Sequence, residues 1–317
     1  MAALTVLLYD LNGDEVEGAV LLSYVFNRED GVPCDSLLLR LESEETLPEI
    51  NTVKAFYHNE PLFNGTCDCQ RETIDSDGRR TLLHARSSAS FLTDNEATPR
   101  TLTKPTAHTL FLLNAQSYGF QYALPELYCP ADYTVTKGTS CFHAIDNFVF
   151  ALTNRHIAVS PDDRLSIPKG ENCLLLDEAA VLSECKITDR GSVVSEIDYK
   201  TENDYGYAHH IVSCFAQQRG IQRSKAVSLS ALPYWQQNAA LSGQLKTAAA
   251  HYERLEVKLL GCHLPALYDR ITYPSRLGLR PEDYHVTAVT VTENADGVQT
   301  ALQLSKQIDL EEITYVA

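Results

Sequence analysis

The sequence predicts a mainly β protein in which two β regions flank a small mixed α/β insert. Three observations carry this reading. Residues 1–93 read as short alternating strands separated by turn signals. Residues 94–179 change in composition and show helical periodicity. Alternation returns in residues 180–317, where one helix interrupts it.

In the first region Leu4–Tyr9 runs to Asn12-Gly13, a hairpin signal, and Val16–Phe26 follows. Ser36–Glu42 sets Leu37, Leu39 and Leu41 on one face, with Leu38, Arg40 and Glu42 on the other. Val53–Tyr57 leads to a turn at Asn59-Glu60-Pro61. Two long strands, Phe63–Ile74 and Arg79–Ala89, are joined by Asp75-Ser76-Asp77-Gly78, whose glycine tolerates positive φ. Six strands at this spacing fit a barrel or a sandwich.

Asp94 to Thr106 is polar, contains Pro99 and Pro105, and marks a boundary. A helix is expected from Pro105-Thr106, carrying Leu110, Leu113 and Ser117, with Gly119 as its stop. A second starts near Thr139 or Ser140 and sets Phe142, Ile145, Phe148, Val149 and Leu152 on one face, and Gly170 closes the region. The last region is expected to hold strands at Val181–Thr188, Val193–Tyr199, His209–Ala216 and Lys225–Leu229. A helix at Asn238–Arg254 and strands at Leu255–Leu260, Leu267–Tyr273, Tyr284–Thr292 and Val298–Ser305 complete it. One echo links the two β regions. Asp77-Gly78-x-x-Thr81-x-Leu83 recurs as Asp296-Gly297-x-x-Thr300-x-Leu302, which points to a duplicated β domain.

The 317 residues suit two or three domains, and 44% hydrophobic with 21% charged residues is ordinary for a globular chain. Forty-two acids against 26 bases leave a net charge of −16, which argues against phosphate gathering but suits a surface past which nucleic acid slides. Nine scattered cysteines are no disulfide framework. Cys67 and Cys69 alternate on a strand and are expected on one face, without the further ligands of a metal site. The apolar start Ala2–Tyr9 reads as a strand rather than a signal peptide, and no run is long enough to span a membrane.

Catalytic signatures such as GxSxG, GxGxxG, a P-loop or HExxH do not occur. His209 and His210 are neighbours on a strand, so their rings face opposite ways and cannot share a metal. Glu44-Glu45, Asp162-Asp163 and Glu311-Glu312 sit near turns or ends, where acidic doublets form solvated faces. Trp235, after Pro233-Tyr234, is expected in a core rather than as an interface anchor. No catalytic, cofactor-binding or metal-ligating residue is therefore assigned.

An ordered series of degenerate segments covers nearly all of the chain. It begins with Val53–Tyr57, Leu62-Phe63-Asn64-Gly65, and Leu82–Leu92 with Ala85-Arg86-Ser87 at its centre. Pro105–Gly119, Tyr133-Thr134-Val135, Arg164–Pro168, Val193–Ile197, Leu264–Ile271 and the Asp296-Gly297 hairpin follow. In this order the chain resembles the baseplate hub family of contractile phage tails and phage-tail-like injection systems, which includes the hub half of type VI secretion spike proteins. Ala85 stands where that family usually has glycine.

The resemblance implies two tail-tube-like β barrels flanking the insert, and a homotrimer whose ring presents six barrels. Such a ring joins the six-fold tail tube to the three-fold spike. It implies no active site and no cofactor. The expected partners are further copies of the chain, a tube protein, a spike protein carried on a separate chain, and other baseplate subunits. DNA or an effector would pass through the lumen, with no membrane insertion. The expected location is the baseplate of a virion or tail-like particle made in a bacterial cytoplasm. A second resemblance competes locally. Tyr133-x-Val135-x-Lys137-Gly138-Thr139-Ser140 through Leu165-Ser166-Ile167-Pro168 is similar to a LysM module, which implies peptidoglycan binding.

Overall fold

The computed structural model describes residues 4–76, 78–230 and 234–306, without the side chains of residues 234–236, 238 and 239. The chain opens with β1 (Leu4–Asp10), β2 (Ala19–Glu29), β3 (Ser36–Ser43), β4 (Ile50–Tyr57), β5 (Glu60–Asp75) and β6 (Gly78–Ser87). The middle holds α1 (Ser90–Thr93), β7 (Arg100–Leu102), α2 (Ala107–Asn114), β8 (Gln121–Tyr122), β9 (Tyr133–Val135), α3 (Cys141–Thr153), β10 (Ala158–Val159) and β11 (Arg164–Ser166). Next come β12 (Cys173–Leu175), β13 (Val181–Thr188), β14 (Glu196–Lys200), β15 (His209–Val212), α4 (Cys214–Gln218) and β16 (Ser224–Ser228). The chain closes with α5 (Tyr234–Ala250), β17 (Glu253–Leu260), β18 (Arg270–Thr272), β19 (Tyr284–Asn294) and β20 (Gly297–Lys306).

The two β regions do not close into separate barrels. Their long strands join in one ten-stranded sheet, ordered β1-β4-β5-β6-β3-β2-β19-β20-β17-β13. The physical reason is the seam between β2 and β19. They pair antiparallel from Ala288↔Glu29 to Glu293↔Tyr24, so the second region continues the first instead of curling onto itself. A single apolar core follows the sheet, from Leu4, Phe26, Leu39 and Val53 to Val257, Val291 and Leu304. Leu37, Leu39 and Leu41 are buried while Arg40 and Glu42 are exposed, as strict alternation requires.

The sheet contains the same four-strand unit twice. β2-β3-β6-β5 in the first region and β13-β17-β20-β19 in the second have equal strand order and antiparallel pairing throughout. Their registers also coincide. Leu41 faces Thr81 and Leu39 faces Leu83 in one unit; Leu259 faces Thr300 and Val257 faces Leu302 in the other. Asp75 pairs with Gly78 across one turn as Asn294 pairs with Gly297 across the other, while Asp77 lies outside the described residues.

Two bulges recur at matching places. Leu22 is the extra residue between Leu21↔Leu41 and Ser23↔Arg40, as Leu182 is between Val181↔Leu259 and Ser183↔Lys258. Asp68 lies between Cys67↔Ala85 and Cys69↔His84, as Thr287 lies between Val286↔Leu304 and Ala288↔Gln303. A bulge decides which face every later residue of its strand points to, so matching bulges give both units the same inward set.

The insert has its own core, built from Leu110, Phe111, Phe142, Ile145, Phe148, Val149 and their neighbours. Thr106 caps α2 through a reciprocal capping box with Thr109, and Ser140 caps α3 by accepting from the His143 amide. A third core gathers Val193, Val194, Ile197, Phe215, Leu241 and Leu245 around the sheet β15-β14-β16 and α5.

Two expected boundaries shift for local reasons. The strand expected over His209–Ala216 stops at Val212 because Ser213 caps α4, accepting from the Ala216 amide. The helix expected to reach Arg254 ends at Ala250, and residues from Glu253 onward are captured between β13 and β20. Among the described residues no helix is long and apolar enough to cross a membrane.

Candidate functional site

The segments that carry the family resemblance converge on the joints between the sheet, the insert and the late loops. On β5, Gly65 lies so close to β6 that a Cβ there would overlap the backbone of Arg86 and Ser87. Only glycine allows that approach. Arg86 then spans two acids, holding the bulge residue Asp68 and, at 2.7 Å, Asp94 just after α1. These hydrogen bonds raise its guanidinium further above an already high pKa and hold the Asp94 carboxyl below its ordinary range. Ser87 Oγ accepts from the Asp35 amide at 3.1 Å, which fixes the entry to β3.

Asp163 is the clasp between sheet and insert. Its backbone takes a positive φ of 59°, its carboxylate lies 3.2 Å from Asn64 Nδ2, and Ser88 Oγ donates to it. This gives a structural role to a residue that sequence reasoning read as half of a solvated doublet. Its neighbour Asp162 is exposed and pairs with Arg164 at 3.5 Å.

The late segment makes a second joint. Tyr268, at φ 69°, donates its hydroxyl to Asp30 at 2.7 Å and so ties the second region back to the end of β2. Burial first, and then Asp30, hold the phenol well above its ordinary pKa. Asp269 is buried and accepts from the amides of Asn172 and Ala266 at 3.2 and 3.0 Å. Within the insert, the buried Asp146 accepts from the Ile157 amide at 2.9 Å and pairs with His156 Nδ1 at 2.8 Å. That hydrogen bond raises the His156 pKa against a smaller effect of burial.

The remaining candidates are spread over the molecule. Glu44 and Glu45 are exposed after β3, Glu311 and Glu312 lie outside the described residues, and so does the side chain of Trp235. His209 and His210 do face opposite ways. His209 stacks on Tyr199 and lies 3.0 Å from Asp204, whereas His210 meets Glu196 at 3.0 Å and Asp198 at 3.1 Å. The last three have ligand atoms within 4.8 Å of one another, a spacing that could hold a metal ion. All three are substantially exposed, and an ion pair with one histidine accounts for them equally well. Cys67 and Cys69 do not share a regular face, because the bulge at Asp68 falls between them: Cys67 is half-buried and Cys69 exposed.

No protein-family model matches the chain, and no curated protein matches its sequence. Solved structures match it in fold over nearly its whole length. The tail protein from Neisseria meningitidis MC58 aligns with a TM-score of 0.76 at 16% identity, covering 96% of this chain and 97% of that one. The 43 kDa tail protein of prophage MuSo2 from Shewanella oneidensis aligns with a TM-score of 0.74 at 11% identity, covering 98% and 99%. An Escherichia coli component of the type VI secretion system, described as similar to bacteriophage T4 tail proteins gp27 and gp5, aligns with a TM-score of 0.62 at 10% identity. There the alignment covers 99% of this chain and 79% of that one. The chain thus has the fold of phage tail proteins.

Proposed function

We propose that this chain is a structural baseplate hub subunit, three copies of which form a ring that adapts a six-fold tail tube to a three-fold spike. The observation that carries this is the repeated unit. One chain offers β2-β3-β6-β5 and β13-β17-β20-β19 with the same order, register and bulges. A three-fold ring can meet a six-fold tube only if each subunit supplies an equivalent surface twice. The shared fold with tail proteins supports the same reading.

The insert and the joints at Asp163 and Tyr268 would set the spacing and orientation of the two units. The net charge of −16 suits an acidic inner wall past which DNA or an effector moves without adhering. Neighbouring subunits would meet at the open sheet ends, β1 of one chain against β13 of the next.

The cell-wall-binding alternative rested on residues 133–168 folding as one module. The strands at its two ends lie in different sheets: β9 pairs with β7, and β11 with β8 and β10. Co-expression with the tube and spike proteins, followed by native mass spectrometry of the complex, tests the hub reading. Three copies per complex are expected; one or six would refute it.

A further inference from the structure

The net charge of −16 makes one cleft stand out. It lies between the loop after α3, the end of α5 and the strands β17 to β20, with a volume of about 660 Å³. Its walls carry Arg155, Lys169, Lys246, Arg254, Arg270 and Lys306 against only two carboxylates, Glu29 and Asp30. Lys169 and Lys306 each have a carboxylate 3.7 Å away, from Glu171 and Glu253. Among the described residues the other four make no ion pair. Asp30 is already engaged by the Tyr268 hydroxyl.

Two further observations concern Arg254 and Lys246. Among the described residues Arg254 Nε is buried with no hydrogen-bond partner, which costs free energy. The Lys246 ammonium is held below its ordinary pKa by burial, with no carboxylate offsetting it. The wall is also built in advance. Arg155 stacks over the Tyr268 ring at 4.7 Å, His285 stacks on the same ring at 5.4 Å, and the Gly170 backbone abuts Tyr268 so closely that a Cβ would overlap it.

We propose that this cleft is a binding site for a compact polyanion whose charge is carried by phosphate groups, an inorganic triphosphate or the triphosphate of a nucleotide. Guanidinium groups match phosphate oxygens with paired donors, and an ammonium adds a point charge. Charge density decides against an acidic peptide. A peptide filling this cavity would have to be acidic at nearly every residue to meet four unpaired cations, whereas a triphosphate concentrates that charge in a few atoms.

Calorimetric titration of the full-length chain with sodium triphosphate tests this. Micromolar binding is expected, weakened about tenfold by Arg254→Gln and by Lys246→Gln, the loss of one charge-assisted hydrogen bond each. Arg270 is exposed, so Arg270→Gln should fold normally and still weaken binding, which separates loss of the site from loss of the fold. Arg164→Gln, exposed and outside the cleft, should change nothing. Adenosine triphosphate binding as tightly as triphosphate supports recognition of the phosphates alone; tighter binding supports a nucleotide as the occupant. The proposal is overturned by no binding at millimolar triphosphate, by equal binding in all three cleft variants, or by pentaglutamate displacing triphosphate at lower concentration.

Discussion

Thr81 and Thr300 occupy one position in the two units, and both are buried, yet their hydroxyls differ in company. Thr300 Oγ1 donates to the Gly261 carbonyl at 2.8 Å and accepts from the His263 amide at 2.9 Å. Among the described residues Thr81 Oγ1 is buried without a partner. Thr300→Val should therefore destabilise the fold by about 1–3 kcal/mol, while Thr81→Val should leave it unchanged or add about 1 kcal/mol, as read by chemical denaturation. Asp163 invites a second test. Asp163→Ala strands Asn64 and Ser88 and should cost about 1–3 kcal/mol, whereas Asp162→Ala, on an exposed pair, should stay within about 0.5 kcal/mol.

Two histidines predict a pH response. His156 is raised above 6.5 by Asp146, so its contribution is fully present below that value and is lost as pH rises through the folded pKa. His285 is lowered by burial, so its contribution is present above 6.5 and is lost as pH falls through its folded pKa. The melting temperature should thus fall on the alkaline side of 6.5, and His156→Gln should remove that part of the slope; an unchanged alkaline slope in the variant would sink this assignment. The identities of Thr81, Thr300 and Asp163 were legible in the sequence, but their roles were not. Each role depends on an atom supplied by a segment distant in the chain.

At the scale of elements, the alternation of leucines in β3 and the capping residues Thr106 and Ser140 were enough to place strands and helices nearly where they are. The bulges were not visible. Nothing in Leu21-Leu22, or in Asp68 between its two cysteines, marks the places where the ladder slips. The barrel expectation failed for a related reason. The β2–β19 seam pairs residues such as Phe26 and Val291 that no local pattern links, so the sequence showed two sets of strands without showing that they share an edge. The bulge makes its own prediction. Leu22→Ser keeps the backbone and replaces an exposed side chain, so it should be tolerated, whereas deleting Leu22 moves part of β2 to the wrong face and should abolish soluble expression. A soluble, equally stable deletion would mean that the bulge does not set register.

At the scale of the whole molecule, the echo of Asp77-Gly78-x-x-Thr81-x-Leu83 in Asp296-Gly297-x-x-Thr300-x-Leu302 was the outward sign of a repeat extending over four strands. The order of segments in the sequence and the fold shared with phage tail proteins motivate the hub proposed above. An obligate ring interface should bury on the order of 2,000 Å² or more per contact. Electron cryomicroscopy of the assembled particle tests the account most directly. Three copies in one ring are expected, with the two four-strand units of each chain related by a rotation of about 60° about the ring axis and facing the tube alternately. A ring of six copies, or a chain whose two units face different neighbours without that rotation, would contradict it.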